Sequence, residues 1–324
     1  MSFSAETTAE QVADTFAREI AGKNVLITGT SIGGLGFETA RVIAKYANLL
    51  VITGYNHERL QQSEDAIKKE FPTANIRKLT LDLSSLAAVR VSAAEVNAYP
   101  EQLHVLINNA VAPFVSLEVN ADGLEYQMAT GHLGPFLFTN LLAPKLIVTR
   151  TSTYTPRVVF VSSLGHAMGP GVHLDTFAKL LPGKYTKVME PYVETKSANI
   201  MNAIELSRRA QGKLLALSLH PGAIETTATQ RPASKAMLTE VGMYTPDGER
   251  NRDAPIPWKT MEQGAATTVV AAFDPSLSGQ CPPHFLMCLN YVANELIAPH
   301  TSDPESVKKV WILTEEAVGQ SFEF

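Results

Sequence analysis

Short apolar runs recur along the chain at intervals that leave room for a helix between them. Asn24-Val25-Leu26-Ile27-Thr28, Leu49-Leu50-Val51-Ile52-Thr53, Ile76 to Leu81, Leu103 to Ile107, Arg157-Val158-Val159-Phe160-Val161 and Leu214 to Leu219 are such runs, and a last one lies near Phe285 to Leu289. Brief, rich in β-branched residues and lacking polar alternation, they predict strands covered on both faces. Between them the apolar period changes to that of a helix. Phe37, Ala40, Ile43 and Ala44 predict a helix to about Ala47, and a polar helix follows from about His57 to Glu70. A longer one spans roughly Tyr126 to Ile147, carrying His132, Phe136, Phe138, Leu141 and Leu142, and another runs from Tyr192 through Ile200, Ile204 and Leu206. Val12, Phe16 and Ile20 fall four apart and predict one short amphipathic helix ahead of the first strand. Alternation of this kind, with right-handed crossovers, predicts an α/β fold with a doubly wound parallel sheet flanked by helices.

The 324 residues read as a single domain, 1–324. It comprises an N-terminal helix (1–22), the sheet, an inserted substrate lid (227–260) and a C-terminal helical extension (291–324). The lid breaks the strand–helix rhythm with Pro232, Pro246, Pro255 and Pro257 around the charged stretch Asp247 to Asp253, which predicts a surface excursion, part lid and part mobile loop. With 45% hydrophobic and 18% charged residues the chain has ample material for a core. A net charge of −5 without a basic cluster argues against nucleic acid or an anionic membrane as a partner. No uncharged apolar run reaches the roughly 18 residues of a membrane span, and Met1 to Glu10 lacks a secretory pattern, so a cytoplasmic location is expected. Cys281 and Cys288 lack zinc-type companions and are expected as small core residues. His166 and His173, with no carboxylate or thiol companion in the pattern, are weak grounds for a metal site, and none is expected.

The candidate chemistry follows the strand ends. Thr28-Gly29-Thr30-Ser31-Ile32-Gly33-Gly34-Leu35-Gly36 joins the first strand to a helix, as a dinucleotide phosphate cradle does: glycines admit a tight turn, and free amides at the helix start hold the charge. The second strand ends in Gly54-Tyr55-Asn56-His57-Glu58-Arg59, without the carboxylate that would select NAD and with basic residues nearby. NADP(H) is therefore the preferred cofactor and NAD(H) the alternative. Asp82, at the end of the third strand, is expected to cap the next helix and to lie near the adenine. Asn108-Asn109-Ala110 and Ser162-Ser163 stand where an open α/β sheet binds its ligand. Tyr192 and Lys196 share one helix face. A tyrosine near its ordinary pKa of about 10 is a poor base at neutral pH, and a buried ammonium group beside it makes acid–base work feasible.

Thr28-Gly29 with Gly34-x-Gly36, Leu81-Asp82-Leu83, Asn108-Asn109-Ala110, Val161-Ser162-Ser163, Tyr192-x-x-x-Lys196 and His220-Pro221-Gly222 with Thr226 resemble, in order, the motifs of the short-chain dehydrogenase/reductase family. The long gap from Ser163 to Tyr192, Glu262-Gln263-Gly264-Ala265-Ala266 and the tail near Trp311 resemble its retinol-dehydrogenase-like branch and fungal members of it. The resemblance implies a single Rossmann-like domain in which Tyr192 passes a proton to or from the substrate oxygen, Ser163 hydrogen-bonds that oxygen, and Lys196 lowers the tyrosine pKa and binds the nicotinamide ribose. It further implies a cofactor site of Gly29, Thr30, Ser31, Gly34, Leu35, Gly36, Tyr55, Asn56, Arg59, Asp82, Leu83, Asn109, Ala110, Tyr192, Lys196, Pro221, Gly222, Ile224 and Thr226.

Four departures from the family pattern stand out. The glycine motif holds one extra residue, since Thr30 to Gly33 separate Gly29 from Gly34; Val111 replaces a glycine; Thr195 replaces the serine before the lysine; and Gly131 stands where the resemblance puts a catalytic asparagine. His132 reads as a core histidine or as a recruited substitute. The leading expectation is an NAD(P)(H)-dependent oxidoreductase interconverting a hydrophobic alcohol with its ketone or aldehyde. A non-redox enzyme (dehydratase or isomerase) and a nucleotide-sensing or scaffold protein are the alternatives that Gly131 motivates. Met168, Phe177, Leu180, Leu181 and Tyr185, with Met237, Leu238, Met243 and Tyr244, suggest an apolar small-molecule substrate. Assembly is expected as a homodimer or a monomer.

Overall fold

The structure, a computed structural model, describes residues 3–112, 117–278, 285–287 and 291–324. Cys281, Cys288 and Leu289, placed in the core or the last strand from sequence, lie outside the described residues. Strands β1 (Asn24–Ile27), β2 (Leu49–Gly54), β3 (Ile76–Thr80), β4 (Val105–Asn108), β5 (Arg157–Val161) and β6 (Leu215–Leu219) match the six apolar runs within a residue or two at each end. A short pair, β7 (Ala223–Ile224) with β8 (Trp258–Lys259), brackets the insert, and β9 (Phe285–Met287) and β10 (Tyr291–Val292) complete the main sheet. The sheet order is β10-β9-β6-β5-β4-β1-β2-β3, all parallel except β10, which is antiparallel to β9. Strand order reverses between β1 and β4, so the ends of these two strands form the crevice in which such sheets bind ligands.

Each central strand is buried on both faces, and successive residues join different cores. Val25 and Ile27 of β1 pack with α1 (Ala9–Thr15), α3 (Leu35–Ala44), α4 (His57–Glu70) and α10 (Met261–Phe273). Leu26, between them, packs with α5 (Leu86–Ala98), α7 (Gly134–Ile147), α8 (Met189–Ala210) and α12 (Pro304–Val318). Trp311 of α12 is buried edge-on against Phe136 at 4.7 Å and lies under the Arg209 guanidinium. The C-terminal helix α12 thus contributes to the core. Arg157 at the start of β5 is also buried; it donates to the Ala271 and Asp274 carbonyls at 2.9 and 2.6 Å, closing the C-terminal end of α10, where a cation is favoured.

Three elements differ from the sequence reading. The predicted N-terminal helix is two, α1 and α2 (Ala17–Ile20), because Phe16 leaves helical geometry and packs edge-on against Phe3. The long helix over 126–147 is interrupted: α6 (Tyr126–Met128) passes into a π-helical turn, Ala129–Leu133, before α7. Asp82 does not cap the next helix; Ser85 does, accepting from Ala88 N–H, while the Asp82 carboxylate accepts from the Ser84 amide and hydroxyl. The insert carries α9 (Pro232–Glu240) and is pinned by Tyr244, which donates to Glu225 at 3.2 Å while its ring faces Trp258. Among the described residues no helix is long and apolar enough to cross a membrane.

His132, read from sequence as a core histidine or as a recruited substitute, is fully enclosed. Its Nε2 lies 2.9 Å from the Thr314 hydroxyl, which spends its own proton on the Val310 carbonyl, so Nε2–H donates. Burial holds its pKa down to about 4, and His104 and His220 are lowered likewise, to about 4 and about 3. In the unfolded chain these rings protonate near their ordinary value of about 6.5, so unfolding takes up protons below that pH and stability falls as pH drops towards the folded values. For His132 alone the loss by pH 4 is on the order of 3 kcal/mol. We expect the Tm, followed by circular dichroism, to fall steadily from pH 6.5 to 4.5; a flat profile would contradict this account.

Candidate active site

The crevice is stitched shut at its floor by β1 and β4. The buried Thr28 hydroxyl accepts from the Asn109 and Ala110 amides, each at 3.0 Å, and Asn109 Nδ2 donates to the Thr28 and Gly29 carbonyls at 2.9 and 3.1 Å. Two glycines are required by this stitch. A Cβ at Gly36 would lie 2.3 Å from both Asn109 Nδ2 and the Gly29 carbonyl, and Gly29, at φ +72°, would place one 2.9 Å from Ala110 Cα. Gly34 N-caps α3 without any side-chain bond, leaving amides open at the start of a ten-residue helix. A cradle of this shape fits a dinucleotide diphosphate.

The extra residue in the glycine turn has a role. Gly34 N–H closes a turn on the Ser31 carbonyl at 3.2 Å with Gly33 at φ +78°, and the Gly33 carbonyl accepts from Thr227 N–H at 3.1 Å. The turn therefore holds the entrance of the insert. Gly33, Thr226, Thr227, Gln230, Arg231 and Met261 line one hollow there, and Arg231 had no signal in the sequence. On the adenosine side Tyr55 and Arg59 are exposed, whereas Asn56 uses its side-chain oxygen to cap α4 through Arg59 N–H at 2.9 Å. Val111 is 41% exposed and does not take left-handed backbone, so this position does not itself require a glycine conformation.

Ser163, Tyr192 and Lys196 come together at the end of β5. Ser163 caps a 3-10 turn, Leu164–Ala167, with its Oγ accepting from Gly165 N–H at 3.0 Å, and it hydrogen-bonds Tyr192 on α8. Lys196 is 4% exposed; its Nζ donates to the Val161 carbonyl at 2.7 Å and stands 5.5 Å from the Tyr192 ring centre. Ser162 Oγ donates to the Lys196 carbonyl at 2.8 Å, fixing α8 against β5. Burial pushes the Tyr192 phenol up, the Ser163 bond offsetting part of the rise, and brings Lys196 down to about 8.

Glu194, between the tyrosine and the lysine, ties the segment after Ser163 to α8. Its buried carboxylate accepts from Tyr185 Oη at 2.5 Å and from His173 Nδ1 at 2.9 Å, with Lys184 Nζ at 3.6 Å. Several residues read as substrate-facing are thereby claimed by packing: Phe177 lies against His132, and Tyr185, Met243 and Tyr244 are buried. Met168 and Leu181 remain exposed, joined by Leu296. Pro221, Gly222, Ile224 and Thr226 follow β6 at the same edge of the sheet, and Asp82 and Leu83 follow β3.

A family model described as short chain dehydrogenase matches residues 23–174. The chain is 32% identical over 88% of its length to Short-chain dehydrogenase TIC 32 B, chloroplastic, of Brassica napus, covering 86% of that protein. It is 33% identical over 90% of its length to Short-chain dehydrogenase/reductase prx1 of Penicillium rubens, covering 84% of it. Among solved structures it resembles a putative uncharacterized protein from Mycobacterium Paratuberculosis (TM-score 0.67, 26% identity, 94% of this chain and 96% of that one). It also shares its fold with a gluconate 5-dehydrogenase from Burkholderia cenocepacia in complex with NADP and tartrate (TM-score 0.57, 19% identity, 85% and 97%).

Gly131 lies in the π-helical turn, and a Cβ there would meet the Thr195 γ-methyl at 2.6 Å. Thr195 cannot readily swing away, since its hydroxyl donates to the Pro191 carbonyl at 2.7 Å. Two departures from the family pattern are therefore one packing unit: the threonine methyl occupies the space that a side chain at 131 would need. We expect Gly131→Asn to destabilise by about 1–3 kcal/mol through overpacking, and Thr195→Ser in the same chain to recover most of it. Urea denaturation of the two singles and the double checks this; strict additivity would show the positions to be independent.

Proposed function

This chain belongs to the short-chain dehydrogenase/reductase family, and from that premise we propose that it is an NADP(H)-dependent reductase of hydrophobic aldehydes or ketones. The observation that carries the reading is the Ser163–Tyr192–Lys196 group anchored on the Val161 carbonyl. When bound, the nicotinamide supplies the hydride to the carbonyl carbon. Tyr192 Oη gives its proton to the carbonyl oxygen, and Ser163 Oγ–H donates to that oxygen as charge grows on it. Lys196 stands behind the tyrosine as the cation that stabilises the phenolate left after transfer. Tyr192 begins as the neutral phenol that a proton donor must be; burial raises its pKa, against the lowering by Lys196 that the resemblance implies, and the Ser163 bond is what offsets part of the rise.

The glycine cradle and the open amides of α3 would hold the diphosphate, with Arg231 reaching it from the insert. Arg59, exposed beside a strand end that lacks a carboxylate, would meet a ribose 2′-phosphate. NADP in the Burkholderia enzyme agrees with this preference. Met168, Leu181 and Leu296 offer an apolar rim to the substrate. A non-redox or nucleotide-sensing role is the second reading, favoured by Gly131.

Titration calorimetry with NADPH and NADH, then absorbance at the reduced-nicotinamide band with a panel of apolar aldehydes and ketones, tests the proposal. We expect Tyr192→Phe to lower kcat by roughly 10³ while Tm and NADPH affinity stay within error. Wild-type turnover in that variant would refute the assignment, and NADPH binding without oxidation by any carbonyl would favour the second reading. Arg59→Ala should weaken NADPH about tenfold and leave NADH unchanged. NADPH binding should also take up a proton around pH 8, where Lys196 is about half deprotonated, and therefore weaken as pH rises through this range.

A further inference from the structure

His166 is fully buried, three residues beyond Ser163, and the chemistry above does not use it. Its Nδ1 lies 2.7 Å from the Ser163 carbonyl, which can only accept, so Nδ1 carries the proton. Its Nε2 lies 3.1 Å from the amide nitrogen of Ala298, which can only donate, so Nε2 offers a lone pair there, with the Leu296 carbonyl as a second, accepting group near the ring. Both bonds need the same neutral Nδ1–H tautomer. A ring that merely filled space would need neither bond. Its own carbonyl accepts from Ser197 Oγ on α8 at 3.1 Å and from His300 Nε2 at 3.3 Å, and its ring packs edge-on against Phe285 of β9 at 5.5 Å. His300 belongs to α11 (Pro299–Ser302), which follows Ala298 directly.

One imidazole thus joins two segments 132 residues apart. At one end is the peptide that presents Ser163 to Tyr192. At the other is the stretch 294–300, which carries Leu296, 42% exposed; Met168, 58% exposed, ends the turn that follows the serine. We propose that His166 is a positioning residue that couples docking of the 294–300 segment, and with it the apolar rim of the substrate site, to the placement of Ser163. The ligand that benefits is an apolar carbonyl compound large enough to touch Leu296 while its oxygen reaches Ser163. This inference rests on the reductase reading for its kinetic consequence, not for the two-ended tie.

Two variants cut the tie at one end each. His166→Asn keeps an N–H near the Nδ1 position and loses the acceptor for Ala298; His166→Gln puts an oxygen near the Nε2 position and loses the donor to Ser163. We expect the asparagine variant to raise KM for an apolar carbonyl about tenfold with kcat within twofold, and the glutamine variant to lower kcat about tenfold with KM little changed. Two readouts stand apart from activity. Hydrogen exchange of the 296–301 amides should speed up in His166→Asn and not in His166→Gln. Histidine side-chain NMR of the wild-type protein should show the Nδ1–H tautomer for His166. An Nε2–H tautomer, equal exchange in both variants, or parallel loss of kcat and KM in both would overturn the proposal. If no carbonyl is reduced by the wild type, the reductase reading fails, while exchange and tautomer still decide whether His166 makes the tie.

Discussion

The bonds between Thr28 and the Asn109–Ala110 peptides are the constraint from which the rest of the crevice follows. β1 and β4 are neighbours whose onward chains leave in opposite directions, so the sheet opens at their ends unless something spans the gap. A buried hydroxyl accepting from two backbone amides, returned by one carboxamide donating to two carbonyls, spans it without burying a charge. The stitch brings Asn109 so near the turn after β1 that residue 36 has no room for a Cβ, and the turn must pass through left-handed backbone at Gly29. Gly34 at the N-cap has no side chain to cap α3, so the first amides of the helix stay open. Gly29 and Gly36 are therefore consequences of the stitch, and the anion cradle needs Gly34 beside them.

Much of this was legible in the sequence because it depends on local pattern. Doubly buried strands must be apolar at every position, and the turn between β1 and α3 must be rich in glycine, so both leave marks that can be read without a structure. The pairing of Tyr192 with Lys196 is also local, a single helical turn. What the sequence concealed depends on distant partners. Nothing near Phe16 says that it will leave the helix for Phe3 and divide α1 from α2. Asp82 and Ser85 are both competent caps within four residues, and only the placement of Ser84 and the helix start selects the serine. The π-helical turn has no periodic signature because it adds a residue without changing the composition around it. In sequence His166 and His173 read as two histidines without a carboxylate companion and Glu194 gives no signal, yet Glu194 is the carboxylate partner of His173. The partners of His166 and Glu194 lie 132 and 21 residues away, and no spacing rule connects them.

The segment between Ser163 and Tyr192 shows how packing and chemistry share residues. Aromatic and apolar side chains placed there by sequence as a substrate surface divide in the structure. Phe177 and Tyr185 anchor the segment, one to His132 and one to Glu194, while Met168 and Leu181 stay at the surface. Buried anchors at Phe177 and Tyr185 limit the freedom of the segment to collapse on itself, and Met168 and Leu181 stay exposed between and beside them.

The state of the tyrosine–lysine pair bears on how the site works without an asparagine at 131. Under the reductase reading, Tyr192 must begin protonated and recover its proton after each turnover. Burial meets the first need by raising the phenol, and the Ser163 bond keeps the rise within bounds. The second need falls to Lys196, whose pKa is drawn down to about 8 by the same burial. An ammonium group with that value yields and regains a proton close to neutral pH, which suits a group returning protons to a phenolate far better than an ordinary lysine would. The 2.7 Å bond to the Val161 carbonyl holds the Lys196 ammonium in place, a placement that does not depend on residue 131. The threonine methyl beside Gly131 then closes the space that a side chain there would fill, so α8 stays packed against the π-helical turn, while the spacing of Lys196 from Tyr192 is set within α8 itself.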